Sequence, residues 1–183
     1  MASPARCLPG IDSAAYQPLD PDEAYSVLEP YFNAVRDDYL SAGFKLVKRV
    51  RLFVAPAMHD SERHFGACKD DGSMILLAPE LADVADTVML AIMAHEFGHA
   101  TDFLYPGEFV LNDGGPALRR PKAQVEGKQW SKWLKAWHRR DADVVELTAD
   151  AIAERVMGMP YGYLGPCHIQ SFDATRARPM GLR

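Results

Sequence analysis

The sequence predicts an α+β domain, and three observations carry that expectation. Residues 65–78 have the pattern of a β-hairpin, residues 84–104 that of a long apolar helix directly after it, and the C-terminal half that of two further helices. A small mixed or antiparallel sheet, with the hairpin at its edge, is expected to pack on the long helix. At 183 residues, 48% hydrophobic and 25% charged, the chain can bury roughly 70% of its unfolded surface in one core. Residues 1–183 therefore read as a single domain.

Residues 1–19 carry Pro4, Pro9 and Pro18 without periodicity and read as an extended arm. Asp20-Pro21-Asp22-Glu23 supplies a helix start, after which Tyr25, Leu28, Tyr31/Phe32, Val35 and Tyr39 recur at helical spacing up to Gly43. Pro30 inside that helix implies a kink or a split. Phe44–Ala55 alternates apolar and basic residues before turning apolar, which predicts a half-covered strand ended by Pro56. His59 and His64 follow with no ligand-like spacing and read as solvated loop residues.

Phe65–Cys68 and Ser73–Ala78 flank Lys69-Asp70-Asp71-Gly72, where Asp-Gly supports the positive φ angles of a tight return. Residues 84–104 are Ala-rich, apolar and free of proline, as a buried helix requires. A polar loop with Gly114-Gly115-Pro116 leads to a helix from about Lys122 to Arg140, where Trp130, Trp133, Leu134 and Trp137 share one face and read as packing. The last helix starts near Asp141 or Asp143 and ends at Gly158, a C-cap residue followed by Pro160. Residues 159–183 have Gly and Pro punctuation and no period, and read as an irregular tail.

The chemistry concentrates in AIMAHEFGHATDFL, residues 91–104. His95 and His99 lie four apart on the predicted helix, so their imidazoles are displaced by about 40° around the axis and one turn along it. Both point at one spot, and two nitrogen ligands at about 2.0–2.1 Å make half of a tetrahedral zinc site. Glu96 stands to the side, where it can reach a water without taking a coordination position, which is the place of a general base. With six histidines in the chain, a shuffled sequence would contain H-E-x-x-H in roughly 1% of cases.

A catalytic zinc site takes three protein ligands and one open position. Tyr105 and Asp102 occupy the places where a longer H-E-x-x-H-x-x-G-x-x-H array needs histidine and glycine, so the third ligand must come from elsewhere. Glu146 on the last helix is the best candidate, with Asp150 one turn later on the same face to accept a hydrogen bond from a ligand histidine's far ring nitrogen. The competing reading is structural: Asp143-x-x-Glu146 resembles a capping box, although Asp141 can cap instead. Asp102 is either another acceptor behind a ligand or a solvated residue.

HEFGHATD at 95–102 together with ELTADA at 146–151 resembles the gluzincin group of zinc peptidases. The wording is most similar to the catalytic-domain family of anthrax lethal factor and its relatives, with a looser likeness to the ImmA/IrrE-type peptidases of phages and mobile elements. The match covers about fourteen residues in two blocks. It implies a minimal zincin-like fold, one Zn2+ held by His95, His99 and Glu146, Glu96 as catalytic base and Asp150 as an outer carboxylate. By the same analogy the strand before the metal helix, Met74–Ala78, is either the edge that takes an extended peptide or protein substrate by backbone pairing or an ordinary sheet strand. One departure is the tyrosine that the lethal-factor type carries shortly before its ligand glutamate. Here Ala136-Trp137-His138-Arg139 fills that stretch, leaving His138, Tyr161, Tyr163 or His168 as candidates to face an oxyanion.

These residues predict zinc-dependent hydrolysis of peptide bonds by an endopeptidase; the alternative is a non-catalytic, zinc-stabilised binding or regulatory protein of the same fold. A formal charge of −5 argues against a general nucleic-acid binder, which carries a basic footprint. No signal-peptide pattern or 18-residue apolar run appears, and Cys7, Cys68 and Cys167 lack CxxC spacing. A cytoplasmic protein with reduced thiols is expected, with a Cys68–Cys167 bridge as the exception to test.

Overall fold

A computed structural model describes residues 19–55, 65–111, 117–119 and 127–158. Helix α1 spans Pro21–Ser41, strand β1 Arg51–Val54, β2 Gly66–Cys68 and β3 Met74–Leu77; helix α2 spans Asp86–Leu104, strands β4 and β5 Phe109–Leu111 and Ala117–Arg119, and helices α3 and α4 Gly127–Trp137 and Ala142–Met157. The architecture is α+β, as expected. No helix among the described residues is long and apolar enough to cross a membrane. The arm up to residue 18, His59, His64, Cys7, Cys167 and the tail from residue 159 lie outside the described residues.

Helix α1 begins as its sequence requires: the Asp20 carboxylate accepts from the Asp22 amide at 2.9 Å and Pro21 opens the first turn. It continues through Pro30 as one element, so the chain does not split there. Its apolar stripe, Ala24, Leu28, Phe32, Val35 and Tyr39, is buried against α2. The Phe97 ring lies 4.8 Å from Phe32 and 5.4 Å from Tyr39. Buried Tyr39 donates its hydroxyl proton to the Ala94 carbonyl at 2.7 Å, one residue before His95.

Two expectations are corrected by what the chain packs against. The strand over Phe44–Ala55 is confined to Arg51–Val54, because Lys45–Arg49 is a 3-10 turn. Its buried positions Phe44, Val47 and Val50 recur every three residues, the period of that turn. The loop before α3 contains an antiparallel pair, Phe109–Leu111 with Ala117–Arg119. Helix α3 is described over Gly127–Trp137 and ends before the expected Arg140; the expected start from Lys122 lies outside the described residues. Trp137 is buried; Trp133 and Leu134 are half-buried.

The hairpin forms as expected, with Gly66↔Leu77 and Cys68↔Ile75 antiparallel and Gly72 at φ +68° in the turn. The sheet order is β1-β3-β2, so of the two readings of Met74–Ala78 the ordinary sheet strand holds and the edge reading is corrected. Strand β1 pairs parallel to β3 on one side, Arg51↔Met74 to Val54↔Leu77, while β2 takes the other. A backbone paired on both sides has no row of amides and carbonyls left to offer a substrate. The outer strand of the hairpin is β2.

Helices α2 and α4 approach each other closely at one point. A Cβ built on Gly98 would stand 2.3 Å from the Ala149 carbonyl oxygen and 2.9 Å from its Cα, so only glycine lets the two backbones meet. Gly98→Ala tests this. Helix propensity favours alanine by about 1 kcal/mol, but a clash against backbone, which no rotamer relieves, costs about 1–3 kcal/mol. The metal-free variant is expected to be less stable by about 1–2 kcal/mol in urea unfolding; a gain in stability would show that the helices have room to part.

Candidate metal centre

The Gly98–Ala149 contact sets α4 against the face of α2 that carries the histidines. Glu146, expected either to cap α4 or to join His95 and His99, joins them. Its Oε2 lies 3.0 Å from His95 Nε2 and 3.4 Å from His99 Nε2, and the two Nε2 atoms are 3.0 Å apart. Asp141 stands at the N-cap position without a side-chain capping bond. Ligands about 2.0–2.1 Å from a tetrahedral ion stand about 3.3–3.4 Å from one another; one edge of the triangle has that length and two are a few tenths of an ångström shorter, so the group could hold a metal ion after a small outward shift.

Asp150 stands behind His95. Its buried Oδ1 accepts from His95 Nδ1 at 2.7 Å, which fixes the ring orientation and turns Nε2 toward Glu146 and His99. Burial disfavours the imidazolium, but hydrogen bonds to Asp150 and Glu146 and the nearby charge of Glu96 outweigh it and lift the His95 pKa to about 10. Hydrogen bonds from His95 and His99 hold the Glu146 carboxyl well below the usual carboxylate range, against the effect of its partial burial. Two carboxylates thus impose a field that calls for positive charge at the centre of the triangle. A divalent cation fits that field as well as the distances.

Glu96 also reaches β2. It is buried at 6% exposure, and a Cβ on Gly66 would fall 2.7 Å from its Oε1 and 2.8 Å from its Cγ. The Glu96 carboxylate therefore fills the space a side chain on β2 would need, between the ligand helix and the outer strand. Gly66 carries no local signal of this role, since its partner is thirty residues away. Burial first, and then the charge of Glu96, push the thiol of Cys68 on the same strand well above its ordinary pKa, which removes it as a candidate nucleophile.

Asp102 matches neither expectation. It is fully buried, and its carboxylate accepts from Arg140 Nη2 at 2.5 Å and Trp137 Nε1 at 3.3 Å. His138 is exposed, with its ring edge-on to Trp137 at 4.8 Å; Tyr161, Tyr163 and His168 lie outside the described residues. Among the described residues Cys68 has no disulfide partner, and the bridge to Cys167 falls outside them.

Comparison of the chain with protein-family models, with curated proteins and with solved structures finds no match. What the site does must be reasoned from its residues and their geometry.

Two measurements check the donor set. Glu146→Ala is expected to weaken zinc binding by more than about 100-fold, exceeding the usual effect of an outer partner; unchanged affinity would remove Glu146 as a ligand. A histidine ligand must be neutral, and metal-free His95 with its raised pKa of about 10 is protonated at pH 7. Zinc uptake at pH 7 should therefore release about one proton, and affinity should rise as pH increases toward 10. Calorimetry in buffers of different ionisation enthalpy reads that number, and zero release would contradict it.

Proposed function

We propose that this chain is a zinc-dependent peptidase of zincin-like fold that hydrolyses peptide bonds in a peptide or protein substrate. The observation that carries the reading is the division of carboxylates around His95 and His99. Glu146 faces both Nε2 atoms, while Glu96, on the same helix as the histidines, lies against Gly66 of the outer strand. A purely structural zinc site has no use for an additional carboxylate so placed and usually fills its fourth position with a protein ligand. Among the described residues, the only group of three or more ligand-type side chains close enough to hold an ion is His95, His99 and Glu146.

His95, His99 and Glu146 would hold one Zn2+. When bound, it would polarise a peptide carbonyl and lower the pKa of water from about 15.7 toward about 7. Glu96 takes the proton from the attacking water and delivers it to the leaving amine, a general-base and general-acid role worth about 100- to 10,000-fold in rate. Asp150 keeps His95 in the tautomer with Nε2 free to bind metal. The Glu146 side chain is 59% exposed, which supports access to the ligand triangle from solvent.

An extended substrate would add along β2, the outer strand next to Glu96 among the described residues, by the backbone pairing that a sheet edge permits. A cytoplasmic location belongs to the same reading.

Glu96→Gln is the decisive variant. It is expected to keep one zinc per chain and to lose at least about 100-fold in cleavage of a proteome-derived peptide pool, as the wild type does on chelation. Cleavage by Glu96→Gln at the wild-type rate would overturn the assignment. A zinc-loaded wild type that cleaves nothing in the pool would favour a binding or regulatory role.

A further inference from the structure

We propose that Asp102, Trp137 and Arg140 form a clamp that positions Glu146 as the third ligand, so that Asp102 acts on the metal through α4. The inference rests on the metal-site reading above. Its starting point is the weak anchorage of Glu146 itself: the side chain is more than half exposed, and its place is set by the course of α4. That helix begins at Ala142 without a side-chain cap from Asp141. Its first turn needs a hold from outside.

Arg140, immediately before the N-cap residue, supplies one. Its Nη2 donates to Asp102 Oδ2 at 2.5 Å and its Nε to the Trp137 carbonyl at 3.0 Å, while Cζ lies 4.3 Å from the centre of the Trp137 ring. Trp137 Nε1 donates to the other oxygen of Asp102 at 3.3 Å. The Asp102 carboxylate is fully buried and sits on α2 three residues after His99. The helix that carries both histidine ligands thus also grips the chain just before α4.

A second grip holds α4 beyond Glu146, where Asp150 meets His95 and Ala149 meets Gly98. The contacts run antiparallel: residue 95 with 150, 99 with 146, and 102 with 140. Glu146 lies between two anchors that both belong to α2. Removing the Asp102 anchor frees only the N-terminal side, about 9 Å of chain from Arg140 to Glu146 at 1.5 Å per helical residue. A buried ion pair is poor support for net stability, because desolvation offsets its attraction, but it specifies direction where an apolar contact could slide. Here the direction matters, since a ligand must stand within a few tenths of an ångström of its place.

The test is a double-mutant cycle read by zinc affinity, with chelator competition on proteins shown to be folded by circular dichroism. Asp102→Asn is expected to weaken zinc binding about 10- to 100-fold, as loss of an outer partner does, and to reduce the intensity of the visible Co2+ spectrum. In a Glu146→Ala background the same substitution should change affinity by less than about 2-fold, because the residue it positions is gone. Arg140→Lys, which keeps the charge but not the planar fork, provides a milder variant and is expected to weaken binding about 10-fold. Equal loss from Asp102→Asn in both backgrounds, or wild-type affinity and Co2+ spectrum in Asp102→Asn or Arg140→Lys, would overturn the clamp. A wild-type protein that binds no zinc overturns the site and the clamp together, and is thereby distinguished from failure of the clamp alone.

Discussion

The site depends on the absence of one side chain. With hydrogen at residue 98, the backbone of α2 approaches that of α4 at Ala149 more closely than any Cβ would allow. Ala149, Ala151 and Ala153 are all fully buried, so this part of α4 is narrow where it meets the core. Small residues have no rotamers to exchange, and the separation they set between two helices is stiff. A ligand triangle with edges of 3.0–3.4 Å requires such stiffness, because two of its corners stand on α2 and the third on α4.

The same approach explains how the core tolerates so much charge. Glu96, Asp102 and Asp150 are all buried, and an unpaired carboxylate in that setting would be neutralised or would open the structure. Asp150 is met by His95, and Asp102 by Arg140 and Trp137. Burial pushes the Asp102 carboxyl up, while its two partners pull it back. Each pair crosses between α2 and a later element, so these charges also lock the register of the C-terminal helices on α2. The polar groups that build the site and those that align the helices are partly the same residues.

What could be read in the sequence follows the range of the interactions involved. His95, Glu96 and His99 share one helix, and the Asp71-Gly72 turn joins neighbouring strands, so local spacing revealed both. Glu146 and Asp150 were legible as a pair because they too are one turn apart; their meeting with His95 needed only that α4 return antiparallel to α2. The centre of the sheet was not legible, because the parallel partnership of Arg51–Val54 with Met74–Leu77 is formed across a long connection and leaves no local mark. The 3-10 turn was hidden by residue type: basic residues between apolar ones imitate a strand, and only burial at Phe44, Val47 and Val50 exposes the period of three. The short pair Phe109–Leu111 and Ala117–Arg119 did carry a signal, in Asn112-Asp113-Gly114-Gly115 between apolar segments. Asp102 offered none, since a lone aspartate on a helix looks the same whether its arginine is present or absent.

Moving the edge of the hairpin from β3 to β2 changes the geometry of the proposed reaction. On β2 the outer strand is the one whose Gly66 abuts Glu96, while His95 and His99 meet Glu146 of α4 from the same helix. On the proposed reading, a peptide paired with β2 passes the base and reaches the metal without crossing the sheet. The missing Cβ at residue 66 then serves the base and the substrate together. It leaves space for the Glu96 carboxylate beneath the strand, and it keeps side-chain bulk away from the place where the scissile carbonyl must approach both groups.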